Sequence, residues 1–274
     1  MVTTRLSYSQ LPLRVRVDRM RYSEDHSLVP GTVFLEDKDL HFASEKDVQD
    51  RLVARVGIYG QVQTLSGQRT YTFEDDIERR VPVGTVTKGL QTEAVYQKRF
   101  PLKPGRYKLS LVIQDQGSGK IATVDELVVV SPPRQDELET STVVLTPRLG
   151  SPGIDESVGD PFVLGKYRVV PSSDNRFRQE EQSAQTYFEV YNLALDQTTL
   201  EPSPRVEIAL LHEGESVFPF TELTRPMDFD GDRLLVYTTI PFQGLKEGKY
   251  TLRFNVTDQI RQQSITTDVE FLIE

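Results

Sequence analysis

Period-two alternation of apolar residues, one short phrase that occurs twice, and a polar break between its copies predict an all-β chain. The expected fold is two tandem immunoglobulin-like (fibronectin III-like) antiparallel β-sandwich domains. The phrase is Leu102-Lys103-Pro104-Gly105-Arg106-Tyr107-Lys108-Leu109, answered by Leu245-Lys246-Glu247-Gly248-Lys249-Tyr250-Thr251-Leu252. Gly105 and Gly248 stand 143 positions apart, as do Asp115 and Asp258. That offset carries Leu102, Lys103, Gly105, Tyr107, Leu109 and Asp115 onto identical residues.

In chain order, Leu11, Leu13, Val15 and Val17 alternate with Arg14, Arg16 and Asp18, which places an apolar row on one face of a strand and charge on the other. Leu52, Ala54, Val56 and Ile58 repeat the pattern, and a turn at Ser66-Gly67 with a returning strand near Thr70 to Phe73 makes a hairpin. Ser44 to Arg51 comes nearest to a helix, but it is too short and polar to bury a face. Tyr107, Leu109, Leu111 and Ile113 then line one face of a strand, as do Tyr250, Leu252, Phe254 and Val256. A glycine two residues before each tyrosine allows the tight turn from which the hydroxyl folds back onto backbone, so Gly105, Tyr107, Gly248 and Tyr250 are the expected tyrosine corners. Asp115-Gln116-Gly117-Ser118-Gly119 and Asp258-Gln259 follow as turns, each leading into a last β-rich run. Val206, Ile208 and Leu210 alternate before a turn at His212-Glu213-Gly214-Glu215, and Ile265, Val269, Phe271 and Ile273 line the final strand.

The expected domains are therefore residues 1–130 and 165–274. Between them, 131–164 reads as a connector rich in Ser, Pro, Gly and acids, within which Thr142-Val143-Val144-Leu145 is β-prone enough to dock on a sheet edge.

Composition narrows the roles. At 274 residues the chain can bury two cores without metal or disulfide, and the absence of cysteine leaves the redox compartment open. Forty-one acidic against thirty-two basic residues, a net charge of −9, disfavour nucleic acid and anionic membrane as partners. No apolar run approaches the roughly 18 to 20 residues that span a bilayer, so membrane insertion is not expected. The start, Met1-Val2-Thr3-Thr4-Arg5-Leu6, lacks the apolar core of a signal peptide.

Leu11-Pro12-Leu13-Arg14-Val15-Arg16-Val17-Asp18, Tyr59-Gly60 with Thr64-Leu65-Ser66-Gly67, Phe73-Glu74-Asp75, Tyr96-Gln97-Lys98-Arg99, the phrase from Leu102 to Leu109, and Val112-Ile113-Gln114-Asp115 carry a family likeness. Together they resemble the C-terminal β region of bacterial GWxTD-domain proteins. The likeness covers most of residues 9 to 130 and continues more weakly through Tyr187 to Leu193. The naming motif is missing, and the chain has no tryptophan. The resemblance implies the tail of a longer protein in an extracytoplasmic setting, periplasmic or secreted, and it brings no catalytic residues.

Candidate chemistry is sparse. Asp228, Asp230 and Asp232 beside Gly231 are the best cation ligands, since closely spaced carboxylates near a flexible glycine suit the oxygen shell of calcium. An EF-hand would need its glycine two positions later and glutamate where Thr239 stands. Glu74-Asp75-Asp76 reads as a solvated acidic stretch. His26, His41 and His212 lack zinc-ligand spacing, no Gly-x-Ser-x-Gly elbow occurs, and no glycine-rich loop opens a helix. Of the basic row Arg14, Arg16, Arg19 and Arg21, Arg14 and Arg16 fall on the outward face of their strand, and the row reads as edge protection rather than as a site for an anionic partner. The expectation is a module that is not an enzyme and needs no cofactor: a spacer or interaction platform whose partner is another protein, an upstream domain of the same chain, or a second copy in a homodimer. The alternative is a ligand-binding module, carbohydrate or calcium dependent, using loops at one end of a domain.

Overall fold

The computed structural model describes residues 9–44, 50–84, 92–134, 136–147, 149–151, 159–223, 228–230 and 233–274. The chain forms two compact units, one of Met1–Val17 with Asp25–Pro132, the other of Asp18–Glu24 with Pro133–Glu274. The strands of the first half are β1 (Arg14–Val17), β2 (Met20–Arg21), β3 (Ser27–Glu36), β4 (Ala43–Ser44), β5 (Arg51–Thr64), β6 (Arg69–Pro82), β7 (Glu93–Leu102), β8 (Gly105–Asp115) and β9 (Ile121–Val130). Those of the second half are β10 (Glu139–Thr140), β11 (Val144–Thr146), β12 (Leu149–Gly150), β13 (Val163–Leu164), β14 (Tyr167–Val169), β15 (Arg176–Phe177) and β16 (Ser183–Tyr191). They continue as β17 (Pro204–His212), β18 (Glu215–Glu222), β19 (Asp228–Asp230), β20 (Arg233–Pro241), β21 (Gly248–Asp258) and β22 (Gln263–Ile273).

In the first unit β1, β3 and β7 pair antiparallel in that order. The facing sheet runs β6-β5-β8-β9, with β4 beside the start of β5. Alternation explains the layering. Val56, Ile58 and Val62 of β5 and Leu109, Leu111 and Ile113 of β8 point inward and meet Val29, Val33 and Phe100 from the other sheet. The intervening residues of β6, from Thr72 to Arg80, are exposed.

The second unit repeats the plan. One sheet holds β10 and β11, then β16, β20 and β19; the other runs β15-β22-β21-β17-β18. Phe188 and Val190 of β16 pack against Leu252, Phe254 and Val256 of β21, with Phe188 and Phe254 ring centroids 4.8 Å apart. Both units are β-sandwiches with the strand order of an immunoglobulin-like domain. One pairing departs from the antiparallel expectation: β15 lies parallel to β22, with Phe177 beside Ile273.

The segment read as a connector is largely part of the second unit. Val144–Thr146 pairs with Gln185–Tyr187 of β16, so the β-prone run docks within the chain. Beyond it, β12, β14 and β13 form a small antiparallel sheet of their own. Ser44 to Arg51, the segment nearest to a helix in pattern, falls mostly on residues outside those described.

Candidate functional site

The repeated phrase resolves into two tyrosine hydrogen bonds that differ in detail. The Tyr107 hydroxyl donates to the Lys103 carbonyl at 2.9 Å. The Tyr250 hydroxyl donates to the Lys246 carbonyl at 2.9 Å and also accepts from the Lys246 amide at 3.0 Å. Burial is the main influence that raises the Tyr107 hydroxyl above the ordinary phenol pKa. The glycines are needed for different reasons. A Cβ on Gly105 would sit 3.2 to 3.4 Å from the Tyr107 ring. Gly248 has φ +140, and its Cβ would lie 2.5 Å from Nε2 of His212, which stacks on Tyr250 at 4.5 Å.

The aspartate that closes each phrase ties loops together. Asp115 and Asp258 are fully buried at the ends of β8 and β21. Asp115 accepts the amides of His41 at 2.9 Å and Gly117 at 3.1 Å, together with the Ser118 hydroxyl. Asp258 accepts the amides of Ala194 at 2.8 Å, Ile260 at 2.9 Å and Arg261 at 3.2 Å. In each unit one carboxylate thus fixes the loop after the first long strand, β3 or β16, to the final hairpin turn. In the second unit this braces an open concavity lined by Leu193 to Thr198, Ile260 and Arg261. Asp196 stiffens its wall by accepting the amides of Thr199 and Thr198, which hold its carboxyl below the usual range.

Of the three calcium candidates, only Asp228 has a described side chain. Asp228 binds the Tyr167 hydroxyl at 2.6 Å and the Lys166 ammonium. Burial pushes its carboxyl up, but the Lys166 and Tyr167 hydrogen bonds outweigh that and hold it below its ordinary value. Asp230 stands opposite Arg233 in the backbone ladder, its side chain is outside the description, and so is Asp232. Among the described residues no three His, Asp or Glu side chains converge as a metal cage.

Tyr167 belongs instead to an aromatic and acidic network on β16 that the alternation pattern conceals. Tyr187, Glu189 and Tyr191 share one face of β16 and are all buried. Glu189 accepts both hydroxyls, at 2.8 and 2.7 Å, with Arg233 3.7 Å away. Tyr167 packs its ring 6.2 Å from Tyr187 and 4.9 Å from Tyr237. The Arg21 guanidinium lies 4.4 Å over the Tyr191 ring and pairs with Glu139 at 2.9 Å. Burial is the main reason that Tyr191 and Tyr167 stay protonated well past the ordinary phenol range. These contacts seat residues 18–24 and the β12–β14 insert on the sheet, so Arg21 serves as an anchor there and not as edge protection.

The remaining candidates have local structural partners. Arg14 pairs with Glu36 at 3.3 Å and with Glu93, which spends its charge across β1, β3 and β7. Asp75, of the stretch read as solvated acid, accepts the Tyr96 hydroxyl and pairs with Lys98 at 2.9 Å. The Tyr96 bond, then Lys98, keep its carboxyl low despite burial. His26 bonds Asp25 at 2.7 Å, while His41 packs where a Gly117 Cβ would come within 2.7 Å of it.

The surface feature that sequence reading missed is β18. It ends the β15-β22-β21-β17-β18 order as an edge strand, and all eight of its residues are exposed. Val217, Phe218 and Phe220 leave 41, 55 and 49% of their area open to solvent. The hairpin turn that presents it has φ +51 at Glu213 and +88 at Gly214, the two-residue geometry that matches strand twist. Two register shifts along β17–β18 and the missing N–H of Pro219 spoil this edge as a template for another strand.

No family model and no curated protein matches the chain. Among solved structures, it is similar to the exo-chitosanase CsxA of Amycolatopsis orientalis at 12% identity and a TM-score of 0.24, over 93% of this chain and 26% of that one. A variant of that enzyme in complex with PNP-β-D-glucosamine aligns over the same shares at 12% identity and a TM-score of 0.23. The chain spans about a quarter of the length of those chains, and likeness at this level carries no argument about activity.

Proposed function

We propose that this chain is a non-catalytic β-sandwich module that serves as spacer or protein-interaction platform of a larger bacterial protein, in an extracytoplasmic setting. The observation that supports it most is β18, an edge strand exposed along its whole length with two phenylalanines and a valine in its centre. Exposed phenylalanine does not help a sandwich to fold, and contiguous apolar surface is a recurring mark of protein contact. The resemblance to GWxTD-protein tails supports the extracytoplasmic setting and the larger parent chain.

The test compares fold and surface. Phe218→Ser/Phe220→Ser should leave the thermal midpoint within a degree or two of the parent, because exposed substitutions change stability by no more than about 0.5 kcal/mol. The same variant should lose most of the parent's 8-anilinonaphthalene-1-sulfonate fluorescence. A drop in the midpoint worth more than about 1 kcal/mol would show that the rings serve the fold, and the reading would fail.

A second reading has one observation in its favour, the concavity at the loop end of the second unit, where Asp258 holds Leu193 to Thr198 against Ile260 and Arg261. It would make the chain a ligand-binding module that uses those loops.

A further inference from the structure

From the charge around β18 we infer the chemistry of the partner it meets: a protein face that carries lysine or arginine interspersed with apolar side chains, docked side chain to side chain. This rests on the interaction reading above and adds the identity of the occupant. Between Arg205 and Arg225 the sequence holds no lysine or arginine, while Glu207, Glu213, Glu215 and Glu222 all fall there. Glu207 and Glu222 share Arg205, at 2.9 and 3.2 Å. Glu213 and Glu215, exposed at the hairpin end, have no ion pair among the described residues. The open apolar centre from Val217 to Phe220 therefore has two glutamates without a described ion pair at its hairpin end and two that share a single arginine at the other, which leaves net negative charge on each side.

Three physical consequences select the occupant. A partner with basic residues at both flanks neutralises the brackets, and its cations can also lie over the Phe218 and Phe220 rings. A second copy pairing β18 antiparallel to itself would set Glu215 against Glu222 of its mate, a like-charge opposition that disfavours a homodimer through this edge. Backbone strand addition is hindered by Pro219 and the two register shifts, so side chains must carry recognition.

The experiment titrates the full chain into three fluorescein-labelled ten-residue peptides and follows anisotropy. The peptides alternate Val and Phe with Lys, with Glu, or with Ser. The Lys peptide should bind at least ten-fold more tightly than the Glu peptide, and its affinity should fall several-fold between 50 and 300 mM salt. Phe218→Ser/Phe220→Ser and, separately, Glu213→Lys/Glu215→Lys should each weaken it at least five-fold while keeping the parent's circular dichroism spectrum. Equal binding of the Lys and Ser peptides, both lost in the phenylalanine variant, would overturn the basic partner and leave the interaction reading standing. A concentration-dependent dimer mass abolished by the phenylalanine variant would replace the partner by a second copy. Indifference of all three peptides to the phenylalanine variant would remove both this inference and the reading beneath it.

Discussion

The two tyrosine corners form an internal comparison, because Tyr→Phe keeps the ring and removes the hydroxyl alone. Tyr107 loses one hydrogen bond on this change, to the Lys103 carbonyl. Tyr250 loses two, to the carbonyl and amide of Lys246. Its stacking on His212 and on Phe271, at 4.5 and 5.4 Å, is retained. A net hydrogen bond contributes about 1 kcal/mol, so Tyr107→Phe should cost about 1 kcal/mol and Tyr250→Phe nearly twice that. Lys103 and Lys246 are exposed, so water can replace part of each loss and these figures are upper values. With a urea slope of about 2 kcal/mol per molar for units of this size, the midpoints should fall by roughly 0.5 M and 1 M. Far-ultraviolet circular dichroism suits the assay in a chain without tryptophan. Equal shifts, or a larger shift for Tyr107→Phe, would refute the inequality and with it the use of bond count to rank the corners.

Two further outcomes follow from buried and paired carboxylates. Asp258→Ala strips one acceptor from three amides and should destabilise the second unit by about 3 kcal/mol, with Asp258→Asn costing less; a change below about 0.5 kcal/mol, read by urea denaturation, would show that water replaces the carboxylate freely. The Tyr96 hydrogen bond, ahead of Lys98, holds Asp75 below its ordinary pKa, so its stabilising effect is complete above the unfolded value near 3.8 and is lost as pH falls through the lower folded value. Tyr96→Phe should raise the Asp75 titration midpoint in carbon-13 NMR, and an unchanged midpoint would assign the depression to other causes.

What was legible in the sequence was what repeats or alternates. The corner phrase, the hairpin of β5 and β6, and the docking of Val144–Thr146 all follow from local pattern, because period-two burial and turn residues act over a few positions. The part that stayed hidden depends on topology. Tyr187, Glu189 and Tyr191 alternate like the outward row of a half-exposed strand, yet they are buried because residues 18–24 and the β12–β14 insert lie over them. Asp115 and Asp258 were visible as identities at one offset, but their role needed the loop amides that only the folded chain brings to them. Val217 to Phe220 reads as an ordinary β run, and nothing local says that no described strand pairs beyond it. Edge position is a property of the whole sheet.

The most direct test of β18 as the proposed docking face maps where the basic peptide binds. Nitrogen-15 amide NMR of the full chain, titrated with the Lys–Val–Phe peptide, should perturb residues of the β17–β18 hairpin, centred on Glu213 to Glu222. Perturbation centred instead on Leu193 to Thr198 and Ile260–Arg261 would contradict the claim and favour ligand binding at the loop end.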